Sequence, residues 1–267
     1  HQLYGIPTNP FNSFKNFYAF AKEYVKVTQR KINGMFINDY TKGMKSILDQ
    51  TALYKINYTQ ELAGFKVKTS EKVLYVKLQK TTQNLIARLK KDRVIDGDEE
   101  IILADTPVKL MTKVHQLCSG TIKFESGNKM TLDYSKAKFI HKYFKNKKIA
   151  IFYKFTQEYK TLKDIYKDNI TNDLEEFKSS DKCIALQIVS GREGISLKEA
   201  SSLVYYNIDF SATSYWQSRD RMTTSTRVQN NIYWIFSEGG IEEDIYKAVI
   251  KKKDYTLSHF NRDLLDL

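Results

Sequence analysis

Apolar residues near the start of the chain fall at intervals of three and four. Phe14, Phe17, Tyr18, Ala21, Tyr24 and Val25 share one side of a helix. A second run from about Asp39 to Tyr54, with Met44, Ile47, Leu48 and Leu53, keeps that interval, so residues 10–65 read as mostly helical. The period then shortens. From Lys72 to Gln79, Val73, Tyr75 and Lys77 alternate with Leu74, Val76 and Leu78, which predicts a strand. Helices over Thr81–Lys91 and Pro107–Cys118 follow. Ile122 and Phe124 precede a Ser126-Gly127-Asn128 turn, and Met130 and Leu132 follow it, so Thr121–Tyr134 reads as a hairpin.

Beyond Tyr134 strands and helices alternate. Ser135 is a candidate N-cap for a helix that turns Ala137, Ile140 and Phe144 inward. Ile149–Tyr153 is apolar throughout, as in a strand covered on both faces. Helix Gln157–Tyr166, strands Ile184–Val189 and Leu203–Ile208, helix Thr213–Met222, strand Asn231–Phe236 and helix Ile241–Lys251 complete the series. This order predicts an α/β fold, a parallel sheet with helices on both faces. We place its boundary at residue 65: a mostly helical extension over 1–65, and the α/β domain with the hairpin over 66–267.

Composition narrows the class. With 42% hydrophobic and 28% charged residues the chain reads as a soluble globular protein. It has no run of about 18 apolar residues, so no membrane partner is expected. It opens on His1-Gln2-Leu3-Tyr4 without initiator Met or signal-peptide pattern, which reads as a boundary inside a longer protein. Cys118 and Cys183 lie far apart and outside any Cys/His cluster, so a reducing cytoplasm is the expected compartment. The net charge of +12 points to a polyanionic partner whose phosphates lysines neutralise, although a lysine-rich solvated surface gives the same balance.

Most familiar catalytic patterns are missing. Gly43-Met44-Lys45-Ser46 comes nearest to a phosphate-cradling GxxxxGK[ST] loop, but Met44 breaks the Gly-Lys step. Asp98-Glu99-Glu100 follows Asp96-Gly97, not a long apolar strand, and reads as a solvated turn. His115, His141 and His259 have no metal-ligand spacing, and no metal site is expected.

Three segments stand out together. Lys148–Glu158 is a buried strand running into a polar helix start. Val189-Ser190-Gly191-Arg192-Glu193-Gly194-Ile195-Ser196-Leu197 is a strand followed by a loop with two glycines. Tyr215-Trp216-Gln217-Ser218-Arg219-Asp220-Arg221 lies on a helix after the next strand. Glycines let backbone N–H groups approach a phosphate or sugar, and such loops sit at the carboxyl edge of parallel sheets. Gln217 and Arg221 are four apart and share a helical face, whereas Arg219 points about 160° away from Arg221. Arg221 is therefore the better phosphate ligand, and it is expected to meet the Gly194 turn at one rim of the sheet. Each segment alone reads better as a solvated surface.

In this order the segments resemble motifs IV, V and VI of the second RecA-like lobe of superfamily 2 helicases and translocases, of the Swi/Snf-like and phage types. Tyr4–Pro10 resembles a degenerate motif III. The resemblance implies ATP and Mg held mainly by a first RecA-like lobe of the same polypeptide. It implies Gln217 and Arg221 as catalytic residues, and Gly194, Ser196, Gln217 and Arg221 as nucleotide contacts. It also implies DNA, or alternatively RNA, along Lys154, Ser190, Gly191 and Arg192, in the cytoplasm of a bacterial or phage-infected cell. Two positions depart from the pattern. Ile6 replaces the threonine of motif III, and Thr224 replaces the second arginine of motif VI, with Arg227 three residues further as a substitute if the chain turns back. A non-catalytic nucleic-acid-binding module is the alternative.

Overall fold

The computed structural model describes residues 6–32, 34–54, 64, 66–97, 99–191, 194–256 and 259–260. The chain divides into two compact units, His1–Gly64 and Phe65–Leu267.

In the first unit, α1 (Phe17–Tyr24) begins at Asn16, whose side chain accepts from the Ala19 N–H and satisfies an orphan donor of the first turn. It buries Ala21, and the rings of Phe11, Phe14, Phe20 and Tyr24 pack edge-on or stacked at its side. The helical reading then fails. Between the two expected helical runs, within the span read as mostly helical, the chain forms an antiparallel hairpin, β1 (Thr28–Ile32) and β2 (Met35–Asp39), with Thr28 opposite Asp39 and Ile32 opposite Met35. Gly34, just before β2, has φ +83°, the positive φ that a tight hairpin turn requires. Arg30 and Asp39 pair across the strands. Only the short α2 (Ser46–Gln50) and a 3₁₀ turn at Ala52–Tyr54 remain of the second expected helix.

The second unit starts with β3 (Lys68–Val76), α3 (Lys80–Asp92), a small hairpin of β4 (Val94–Asp96) and β5 (Ile101–Leu103), and α4 (Pro107–Cys118). The expected hairpin follows as β6 (Thr121–Lys123) and β7 (Lys129–Thr131), then α5 (Ser135–Tyr143), β8 (Ile149–Tyr153), α6 (Thr156–Tyr166), β9 (Ile170–Thr171), α7 (Leu174–Ser179) and β10 (Cys183–Gln187). The chain closes with α8 (Ile188–Gly191), β11 (Ser202–Tyr205), α9 (Ala212–Ser218), β12 (Gln229–Ser237) and α10 (Glu242–Val249). Among the described residues β3-β12-β11-β8-β10-β9 form a six-stranded sheet, parallel throughout.

Successive side chains of these strands fill opposite layers. Phe152, Tyr205, Trp234 and Phe236 enter one core with α4, α9 and α10, where the Tyr205 and Trp234 rings stack at 3.8 Å. Ile151, Val204 and Ile235 enter the other, against Ala137, Ile140 and Leu162 of α5 and α6. Burying each such large side chain contributes about 1.5–3 kcal/mol. Ser135 does not cap α5. The N-cap position is Tyr134, and Asp133 accepts from the Ser135 N–H at 2.8 Å and, through its other oxygen, from the Gln79 N–H at 2.7 Å, which ties the start of α3 to the start of α5. The helix expected to Met222 ends at Ser218.

Candidate functional site

All the strands run the same way, so the chain leaves β8, β10 and β11 at one carboxyl edge. The turn from β8 into α6 is fixed by Glu158, whose Oε2 accepts from the N–H groups of Lys154 (2.8 Å) and Phe155 (3.0 Å). Its Oε1 accepts from Asn207, and Asn207 Oδ1 lies 2.5 Å from His115 Nε2. Burial raises the Glu158 pKa even though these donors favour its anion. Lys154 Nζ reaches Asp209 Oδ1 at 2.7 Å and sits 3.6 Å from the Phe210 ring centre. Burial lowers the lysine's pKa, which Asp209 offsets in part; burial would raise Asp209, but Lys154, Ser214 and the Phe210 N–H bring it below the usual range. Lys154 is thus an internally paired cation, and a phosphate there competes with Asp209.

Lys154 also lines a cleft of about 220 Å³ between the β6–β7 hairpin and this turn, with Gln116, Lys123, Lys129, Gln157 and Gln187. Lys129 Nζ donates to Thr156 Oγ1 at 2.7 Å, and neither Lys123 nor Lys129 has a carboxylate partner among the described residues. Sequence reasoning missed both. Their signal was position: they flank the hairpin turn at Lys123 and Lys129.

After β10 the chain enters α8. Ser190 is exposed there. Gly191 is buried, and a Cβ on it would lie 2.6 Å from the Phe152 ring and 3.1 Å from Leu186, so close packing explains this glycine without a ligand. Arg192 lies outside the described residues. Gly194 has φ +69° with open space where a Cβ would go, and Ser196 is exposed.

Helix α9 leaves the carboxyl edge and runs back along the sheet, so Arg221, beyond its end, lies below the rim and not on it. The contact between the two segments is through the backbone: the Leu197 N–H donates to the Arg221 carbonyl at 2.8 Å. Arg221 Nε donates to the Gln217 carbonyl at 2.9 Å, and its guanidinium has no ion-pair partner among the described residues. Gln217 Oε1 is buried with no hydrogen-bond donor. Arg219 goes elsewhere. It pairs with Glu71 of β3 at 2.9 Å and packs 4.8 Å from the Trp216 ring centre, while Glu71 also accepts from Tyr215, Trp234 and Tyr246. The chain does turn back after α9, yet Arg227 does not supply a second free arginine. Its guanidinium donates to the carbonyls of Lys198 (3.1 Å), Ala200 (3.0 Å), Ser201 (3.3 Å) and Gln229 (3.1 Å).

No protein-family model matches the sequence, and no curated protein does. The structure is similar to the solved C-terminal part of the Fun30 ATPase domain, with a TM-score of 0.53 at 13% identity, covering 73% of this chain and 92% of that one. The chain shares the RecA-like α/β fold of that C-terminal part. Two structures of the Sulfolobus solfataricus SWI2/SNF2 ATPase core, the second in complex with dsDNA, match at TM-scores of 0.47 and 0.46 and identities of 13% and 15%. They cover 78% and 83% of this chain, which spans about half of each, 48% and 53%.

On this lobe the predicted residues separate into two places. Lys154 and Ser190 lie at the carboxyl edge, whereas Ser196, Gln217 and Arg221 lie along the flank of α9. Among the described residues no three His, Cys, Asp or Glu side chains gather as metal ligands, and no helix is long and apolar enough to cross a membrane. Cys118 and Cys183 are buried free thiols.

Proposed function

We propose that this chain is the C-terminal lobe of an ATP-dependent DNA helicase or translocase, and supplies the arginine-finger side of the ATP site and part of the DNA track. One observation carries the reading: the Leu197–Arg221 backbone bond sets the Gly194–Ser196 loop beside Arg221, whose guanidinium donates to the Gln217 carbonyl through Nε and has no ion-pair partner among the described residues. Arg219 is taken up by Glu71 and Arg227 by four carbonyls, whereas Arg221 bonds the Gln217 carbonyl through Nε. The share of a nucleotide site on this lobe fits its residues. An unpaired guanidinium suits phosphate oxygens, the donorless Gln217 Oε1 suits a water or sugar hydroxyl, and Gly194 leaves room for either. ATP and Mg are held mainly by a first lobe of the same polypeptide. Arg221 then offsets charge on the transferred phosphoryl group, and Gln217 orients water or the γ-phosphate. DNA follows the carboxyl edge past Ser190, Gly191, Arg192 and the Lys123–Lys129–Lys154 cleft.

In the full-length polypeptide, Arg221→Ala is expected to lower DNA-stimulated ATP hydrolysis about 10³-fold. Near-normal turnover rejects the finger role. A second reading, a nucleic-acid-binding module without ATPase activity, is favoured by Thr224 and by the locked Arg227. DNA binding with no hydrolysis by the full-length protein selects it.

A further inference from the structure

The stretch Ser135–Lys148 holds six lysines, one histidine and no acidic residue. Two of the lysines belong to the fold: Lys136 is buried on Glu242, and Lys148 donates to the Ser180 carbonyl and packs on Phe177. The other four, Lys138, Lys142, Lys145 and Lys147, are exposed and have no carboxylate partner among the described residues. Their placement follows from the helix. Ala137, Ile140 and Phe144 face the core, so Lys138 and Lys142, four apart, occupy the opposite side. Lys145 and Lys147 continue the row in the turn before β8. That turn is at the amino edge of the sheet, since Lys148 O accepts from Ser201, just ahead of β11. Tyr143, 44% exposed and stacked on Phe139, borders the row, as does exposed Lys72, the register partner of Tyr233, whose ring meets Tyr143. On α7, Glu175 and Glu176 are already engaged by Lys178 and Lys182.

We infer that the outer face of α5 and the turn after it, Lys138, Lys142, Lys145 and Lys147, form a second duplex-DNA contact that runs along α5 to the amino edge of the sheet, apart from the carboxyl-edge track. A row of unpaired ammonium groups, about 6 Å apart along the helix at Lys138 and Lys142, matches a regularly spaced polyanion. The patch is rimmed by one hydroxyl-bearing ring and no other large exposed apolar side chain, so it lacks the insertion face of a membrane-binding helix. Because the row follows the outer face of α5 to the amino edge while the track follows the carboxyl edge, one lobe holds two DNA segments at once. The inference rests on the proposed DNA track only for the first of those segments.

The test replaces Lys138, Lys142, Lys145 and Lys147 by Gln together in the full chain, and separately Lys123 and Lys129 by Gln. Binding of a labelled duplex is followed from 50 to 200 mM salt, and a second assay scores co-capture of two differently labelled duplexes. The wild type is expected to bridge. The α5 variant is expected to lose bridging, keep single-duplex binding, and flatten the log–log salt slope by up to about 3.6, or 0.9 for each lost phosphate contact. An unchanged slope with intact bridging overturns the inference. So does loss of sedimentation with phosphatidylserine vesicles in the α5 variant while its DNA binding is untouched. If the cleft variant binds and bridges like wild type while the α5 variant does not bind, the carboxyl-edge track fails and the α5 contact stands. Every altered side chain is exposed, and an unchanged thermal transition confirms that both variants fold.

Discussion

Three arginines within nine positions meet different fates because their surroundings differ. Arg219 faces Glu71, Arg227 faces a fan of loop carbonyls, and Arg221 faces neither. Hydrogen bonds to charged groups are worth about 1.5–3 kcal/mol each, enough to make the first two structural residues. His115 offers a pH-linked test at the same scale. It is fully buried, and burial, then Lys154 and Lys136, hold its pKa well below the ordinary value. The unfolded chain takes up a proton near pH 6.5 that the folded chain refuses, so this histidine's contribution is intact above that pH and is lost as pH falls below it. Urea unfolding from pH 7.5 to 5 is expected to show stability falling by up to about 1.4 kcal/mol per pH unit from this group. His115→Gln is expected to remove that component. If wild type and variant fall in parallel, His115 is not the source.

Between elements, Lys136 of α5 and Glu242 of α10 form a pair with side chains 1% and 0% exposed, 2.6 Å apart, and Ser237 also donates to Glu242. Lys136→Met strands the carboxylate in the core and is expected to cost about 3–5 kcal/mol in urea unfolding. Adding Glu242→Gln recovers much of it; a single-mutant loss below about 1 kcal/mol contradicts the assignment. Neither partner was legible in the sequence, since residues 106 apart meet only in three dimensions. Long elements with one strong period were legible: β8, α4, β12 and the β6–β7 hairpin stand within a few residues of their expected places. The β1–β2 hairpin was missed because it lies between the two runs of helical spacing, where the reading rested on its flanks and the Asn33-Gly34 pair was not weighed as a turn. The short β9 and α7 hold too few residues to show a period. At the site, the positive φ of Gly194 was legible from residue type, and the closeness of Arg221 to Gln217 from their spacing of four. The tasks of Lys154, Gly191 and Arg227 were not, because Asp209, Phe152 and the Lys198–Ser201 carbonyls come from elsewhere in the chain.

For the molecule, the buried side chains of both sheet layers come from Val73 onward. Residues 66–267 alone are therefore expected to keep a cooperative thermal transition by circular dichroism, and a broad, non-cooperative melt would show that the first unit completes the core. The edge strand β3 has one more implication. Nine of its residues lie in parallel register with β12, and Glu71 at its middle gathers Arg219, Tyr215, Trp234 and Tyr246. A pull on the chain at Lys66 therefore loads that ladder lengthwise, straining its rungs together instead of unzipping them singly. The tension then passes through one carboxylate straight into the helix that aims Arg221.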